Sequence, residues 1–112
     1  MKEIIAIVRP ERMNETKKVL EEIGVTYTTM RVLGRSRQGG LRYPRKWFGR
    51  SADIRFLPKR LFWIEVEDHQ VRTAMDLLIK ANRTGRIGDG KVFVVTVEGV
   101  CNMMGDPVHE TA

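Results

Sequence analysis

The sequence predicts an α+β sandwich with the element order β-α-β-β-α-β. Three observations carry this expectation. Apolar or β-branched runs of strand length occur at residues 3–8, 25–33, 59–66 and 91–97. Two stretches, one after Pro10 and one after Asp68, repeat apolar residues at helical spacing. The 112 residues, 42% of them hydrophobic, suit one compact domain over 1–112 with a small core. Chains of this size often gain further burial by oligomerising.

The elements follow in order. "EIIAIV", Glu3 to Val8, is a continuous apolar run and reads as a buried strand. Pro10 ends it and suits the first turn of a helix. Met13, Thr16, Leu20 and Ile23 then recur at helical spacing, and Gly24 stands where a helix C-terminus wants glycine. Val25 to Leu33, "VTYTTMRVL", is rich in β-branched and aromatic residues and reads as the second strand. Residues 36–56 hold glycines, a proline and no sustained period, and are expected to be a long loop, a length that usually carries function. "KRLFWIEV", Lys59 to Val66, is the third strand. Asp68 is the expected N-cap of a helix whose Val71, Ala74, Met75, Leu78, Ile79 and Asn82 share one face. "KVFVVTV" is the fourth strand, and the tail 98–112 has no assignment. The order is the split βαβ of ferredoxin-like domains, with both helices on one face of a four-stranded sheet. The other face needs a cover, such as another subunit.

Charge is concentrated. The chain carries +6 overall, yet residues 35–60 hold nine basic side chains against Asp53 alone, a local +8 that leaves the remainder at −2. A basic segment on a nearly neutral body suggests an acidic partner: a protein face, a nucleic acid or a phosphate ligand. The single cysteine, Cys101, excludes an intrachain disulfide and suits a reducing cytoplasm. It reads as a small apolar filler. No apolar run approaches the roughly 18 residues of a membrane span.

Two segments are candidate sites. "GRIGDGKVFV", residues 85–94, puts Gly85, Gly88 and Gly90 around Asp89, with Lys91 next. Free backbone N–H groups beside a lysine can hold phosphate, and the same residues can make a plain turn. The segment is not a Walker A loop, since Val92 follows Lys91. In the basic segment, Tyr43, Trp47 and Phe48 lie among arginines, a mixture that stacks on bases or anchors a protein partner. For base stacking on the sheet, Tyr27 and Phe93 offer only a poor version of the aromatic pattern needed. His69 and His109 lie far apart, no nucleophile–base pair is evident, and neither a metal site nor an enzyme is expected.

Four motifs then converge. "AIVRP", the "GR" of Gly34 and Arg35, "FLPK" from Phe56 to Lys59 and "RTGRIGDGK" from Arg83 to Lys91 resemble the PII signal-transduction family, in order and over nearly the whole chain. "GRSRQGG", "LPKRL" and "NRTG" resemble its nitrogen-fixation branch. The resemblance implies a cytoplasmic trimer, homomeric or mixed with a related subunit, with ATP or ADP in clefts between subunits. It implies 2-oxoglutarate held with Mg²⁺ at the base of a T-loop that docks on a target, nitrogenase being favoured and an ammonium transporter or glutamine synthetase being the alternatives. By the same resemblance, Ile7, Gly34, Arg35, Gly88, Asp89, Gly90 and Lys91 would bind nucleotide. Gln38 and Lys59 would bind 2-oxoglutarate. Arg42, Tyr43, Arg45, Lys46, Trp47, Phe48 and Arg50 would meet the partner.

The chain departs from the pattern twice. Asn102 and Met104 stand where the family carries an arginine-x-arginine pair that closes on nucleotide phosphates. Ala52 stands at the modifiable tyrosine, so uridylylation is not expected there. Two other readings therefore stand beside the sensor: a subunit that docks on a target with weak or no nucleotide binding, and a basic ferredoxin-like nucleic-acid module.

Overall fold

The computed structural model describes residues 1–35 and 56–108 and, for the backbone alone, 43–47 and 50–54. In chain order the elements are β1 (Lys2–Val8), α1 (Met13–Ile23), β2 (Thr26–Arg35), β3 (Tyr43–Trp47), β4 (Arg50–Ile54), β5 (Phe56–Val66), α2 (Val71–Asn82) and β6 (Gly90–Thr96). A four-stranded antiparallel sheet has the order β2-β5-β1-β6, and β3 pairs with β4 in a separate two-stranded sheet. This is the expected α+β, ferredoxin-like architecture.

Strand alternation decides the two faces. Ile4, Ala6 and Val8 of β1 and Phe62, Ile64 and Val66 of β5 are buried with Leu20, Ala74 and Leu78 of the helices. Tyr27 joins this side, its ring centroid 5.7 Å from that of Phe62 and its hydroxyl donating to Glu21. The opposite face carries Ile5 flanked in register by Trp63 and Phe93, with Met30 opposite Leu61 on the neighbouring pair of strands. Trp63 and Phe93 are 43% and 48% exposed, so this apolar face lies open in the single chain. Tyr27 and Phe93 therefore occupy opposite faces and do not form one stacking platform.

The two helices are joined by a buried polar clasp. Thr16 is fully buried and donates its hydroxyl to the Arg12 carbonyl at 2.8 Å. Asn82 Nδ2 donates to Thr16 Oγ1 at 3.1 Å and to the Leu78 carbonyl at 2.9 Å. Each group thus keeps a partner away from water, as burial requires. Helix α1 stops at Gly24, whose φ of 73° is the left-handed conformation that glycine adopts cheaply.

Five expectations need correction. β2 runs on to Arg35 and β5 starts at Phe56, and these residues pair, so the inserted segment is 36–55. β1 flanks β5 only as far as Arg60, so the missing donor of Pro58 costs no bond to β1. The expected long loop contains the β3–β4 hairpin, Tyr43 pairing with Ile54 and Trp47 with Arg50. Its sequence signal was the two-residue connection ending in Gly49. Asp68 does not cap α2. Gln70 accepts the Glu67 N–H at 2.9 Å at the start of the 3-10 turn leading into α2, and Asp68 pairs with the Met1 ammonium at 3.0 Å. Cys101 is exposed rather than a core filler.

The clasp gives a double-mutant prediction. Thr16→Val or Asn82→Leu alone should cost about 1–3 kcal/mol in urea unfolding, because each leaves a buried partner unsatisfied. The double variant should cost clearly less than the two added together. Simple additivity would show that the side chains are not coupled.

Candidate functional site

The glycine segment connects α2 to β6, and its fold is set by Asp89. The Asp89 carboxylate accepts the Thr84 N–H at 2.7 Å, the Gly85 N–H at 2.9 Å and the Thr84 hydroxyl. These bonds, chiefly those from Thr84, hold its pKa down to about 2. Gly90 then has a φ of 129°, and a Cβ there would fall 2.1 Å from the Ile7 carbonyl oxygen. Only glycine permits that approach, which lets β6 begin directly against the end of β1.

Two cations lie beneath this loop. Arg9, only 14% exposed, donates through Nη2 to the Ile87 carbonyl at 3.0 Å and sits 3.6 Å through Nε from the Asp89 carboxylate. Lys59, 7% exposed, donates to the Gly88 carbonyl at 2.9 Å. Burial lowers the Lys59 pKa, and the positive charge of Arg9 lowers it further.

Above them, a cleft of about 860 Å³ is lined by Ile7, Gly34, Arg35, Lys59, Ile87, Gly88, Gly90 and Lys91. It gathers residues from the end of β1, the end of β2, β5 and the glycine loop, which lie far apart in the chain. Three cations face one concavity whose lining includes glycine backbone and, among the described residues, no carboxylate. Such a surface receives anions. Of the nine residues expected to bind small ligands, Ile7, Gly34, Arg35, Lys59, Gly88, Gly90 and Lys91 line this cleft. Asp89 does not, since its carboxylate is spent inside the loop. It lines instead a smaller groove of about 350 Å³ with Met75, Leu78, Ile79 and Arg83. Gln38 lies outside the described residues.

Of the expected partner-facing residues, Arg42 and Phe48 also lie outside the described residues. The backbone places Tyr43, Arg45, Lys46 and Trp47 on β3 and Arg50 on β4. Sequence reasoning missed Arg9, Thr84 and Ile87 as loop partners. Their signal was adjacency to quoted motifs, since Arg9 closes "AIVR" and Thr84 opens the glycine segment.

The tail holds Asn102 and Met104, at the positions where the resemblance implies arginines. Asn102 Oδ1 accepts the N–H groups of Met104 at 2.9 Å and Asp106 at 3.1 Å, while Cys101 bridges to Pro107. The Asn102 N–H donates to the Asp106 carbonyl at 2.9 Å. Asn102 thus builds a tight turn, as short polar side chains do. Met103 and Met104 stand at its tip, 101% and 83% exposed.

Comparison with known proteins agrees with the motifs. The family model described as nitrogen regulatory protein P-II matches residues 1–106. The chain is similar to the nitrogen fixation nifHD region GlnB-like protein 2 of Methanothermobacter marburgensis, 41% identical over 106 residues and 88% of each chain. It is similar to the protein of the same description from Methanococcus maripaludis, 38% identical over 120 aligned positions, covering 100% of this chain and 99% of the relative. Nitrogen regulatory protein P-II 2 of Methanothermobacter thermautotrophicus is 43% identical over 101 residues, 89% of this chain and 86% of the relative.

The depressed Asp89 pKa fixes a pH dependence. An unfolded aspartate titrates near 3.8 and the folded one near 2. Its contribution is therefore complete above about pH 4 and is lost as pH falls through 2. The melting-temperature gap between the native chain and Asp89→Asn should be constant from pH 7 to about 4 and shrink below that. A gap that is unchanged at pH 2.5 would show that the carboxylate charge does not hold the loop.

Proposed function

The chain belongs to the nitrogen regulatory P-II family, and from that premise we propose that this signalling regulator senses adenine nucleotide and 2-oxoglutarate and controls a target through its basic segment. Members of the family are regulators rather than enzymes. The carrying observation is the cleft in which Arg35, Lys59 and Lys91 converge on the backbone of Gly88 and Gly90. Nucleotide phosphates suit this set: Lys91 and Arg35 supply charge, and glycine backbone allows close approach. Ile7 offers an apolar contact. A 2-oxoglutarate carboxylate would meet Lys59 as a point charge, with Gln38 orienting it. Among the described residues the lining holds no carboxylate, so Mg²⁺ would be held there mainly by the oxygens of the ligands themselves.

The relatives are named for a nitrogen-fixation region, which supports nitrogenase as the target. The acidic surface expected on it would face Arg42, Tyr43, Arg45, Lys46, Trp47, Phe48 and Arg50. The open sheet face around Ile5, Trp63 and Phe93 supports a trimer, homomeric or mixed, because an apolar face of this kind is costly to leave in water. Among the described residues no helix is long and apolar enough to cross a membrane. We place the protein in the cytoplasm as one domain over 1–112.

A weak-binding subunit is favoured by one observation. Asn102 is committed to its own turn and Met104 carries no charge, so half of the phosphate clamp is missing. Two lost charge-assisted contacts, each worth about 1.5–3 kcal/mol, lower nucleotide affinity by orders of magnitude.

Calorimetry with ATP, ADP, and MgATP plus 2-oxoglutarate tests the reading. ATP or ADP should bind, more weakly than to a relative with both arginines, and Lys91→Ala should abolish binding without lowering the melting temperature. Met104→Arg should tighten binding about tenfold or more, whereas Asn102→Arg should break the turn and gain nothing. Tight binding untouched by Lys91→Ala would put the phosphates elsewhere. Light scattering should show a trimer, and a stable monomer at micromolar concentration would reject that assembly.

A further inference from the structure

Arg9 lies outside the cleft lining, yet it bonds the loop that forms the cleft. Its guanidinium is largely buried and reaches two points of that loop, the Ile87 carbonyl at 3.0 Å and the Asp89 carboxylate at 3.6 Å. Lys59 takes the next carbonyl, that of Gly88, at 2.9 Å. Two successive peptides thus turn their oxygens onto cations. Among the described residues there is no cis peptide bond, and a trans peptide points its N–H opposite to its C=O. Fixing the Ile87 and Gly88 oxygens therefore turns the N–H groups of Gly88 and Asp89 the other way. Gly88 has a φ of 96°, which glycine tolerates but which it does not enforce by itself. Gly88, shared by the two peptides, leaves them free to rotate unless something grips their oxygens.

We propose that Arg9 is a positioning residue for the phosphate cleft: from beneath, it fixes the orientation of the 87–88 peptide and, through Asp89, the seat of the whole loop. This rests on the reading of the cleft as a nucleotide site. A preset loop spends little binding energy on ordering, so removing the grip weakens the anion even though Arg9 never touches it. The arrangement also separates two kinds of cation. Arg9 and Asp89 are structural partners of the loop, whereas Lys91 and Arg35 face the ligand. Lys59 belongs to both groups, since it lines the cleft and holds a loop carbonyl.

The test uses the full chain with ATP as probe and two readouts, calorimetric affinity and ¹⁵N order parameters of residues 85–91. Arg9→Met, which keeps the apolar stem but removes charge and donors, should lower the order parameters of Gly88 and Asp89 and weaken ATP about ten- to a hundredfold. Arg9→Lys, which keeps a cation able to reach a carbonyl, should restore most of the order and of the affinity. The melting curves of both variants confirm that the sheet is intact, and if Arg9→Met does not fold, the contrast of Arg9→Lys with Arg9→Gln replaces it. Order parameters and affinity both unchanged in Arg9→Met, with Lys91→Ala still abolishing binding, overturn the proposal and leave the cleft reading standing. Should ATP affinity instead ignore Lys91→Ala, the cleft reading fails. The order parameters alone then decide whether Arg9 positions the loop.

Discussion

The approach of Gly90 to the Ile7 carbonyl is the constraint on which the rest depends. A methyl group at position 90 would lie 2.1 Å from that oxygen, well inside contact distance. Because no side chain intervenes, β6 starts flush with the end of β1, and Val8 pairs with Gly90 in register. The loop before β6 is thereby pinned over the ends of β1, β2 and β5. That placement brings Lys91 toward Arg35 and Lys59, residues that the chain separates by more than thirty positions on average.

Electrostatics then shape the loop from below. Arg9 pairs with the Asp89 carboxylate and donates to the Ile87 carbonyl, while Lys59 donates to the Gly88 carbonyl. The excess positive charge is tolerable because carbonyl dipoles offset it, and it leaves a local field that favours an anion above. The cleft lies on the end of the open sheet face rather than under the helices. A second subunit packed on that apolar face would also wall the cleft, so the proposed assembly and the proposed ligand site would share one surface. At the two positions where the resemblance implies arginines, Asn102 stabilises its own turn and Met104 is exposed, so on the proposed reading a neighbouring subunit would have to supply charge on the phosphate side.

Much of this was legible in the sequence, for reasons that differ by element. The core face of helix α2, from Val71 to Asn82, was legible because its apolar spacing is strong, although the expected cap at Asp68 set the start too early. Gly24 marked the end of α1 because a left-handed terminus leaves few alternatives. The strands β2 and β5 extended beyond expectation because Gly34 and Pro58, normally breakers, fall where only one neighbouring strand flanks them. The β3–β4 hairpin was hidden by its charge, since neither "YPRKW" nor "RSADI" shows a sustained apolar alternation. Cys101 and Asp68 were misread for a shared reason: each was assigned from residue type, whereas a bridge to Pro107 and the amino terminus settled their places. The cleft residues came from motif resemblance. Their convergence is a property of the topology and could not be read from spacing, and Arg9 was missed because its role lies in the carbonyls of a loop almost eighty residues away.

The central claim is that the glycine loop, seated by Gly90 and gripped from beneath, presents a phosphate site between Lys91 and Arg35. A crystal structure of the chain grown with ATP tests it most directly. Phosphate oxygens are expected within about 3 Å of Lys91 Nζ and of a backbone N–H in the Gly88–Gly90 stretch, with Asp89 still bonded to Thr84. Phosphates bound away from this loop, or a loop whose Ile87 and Gly88 carbonyls have turned into the cleft, would contradict it.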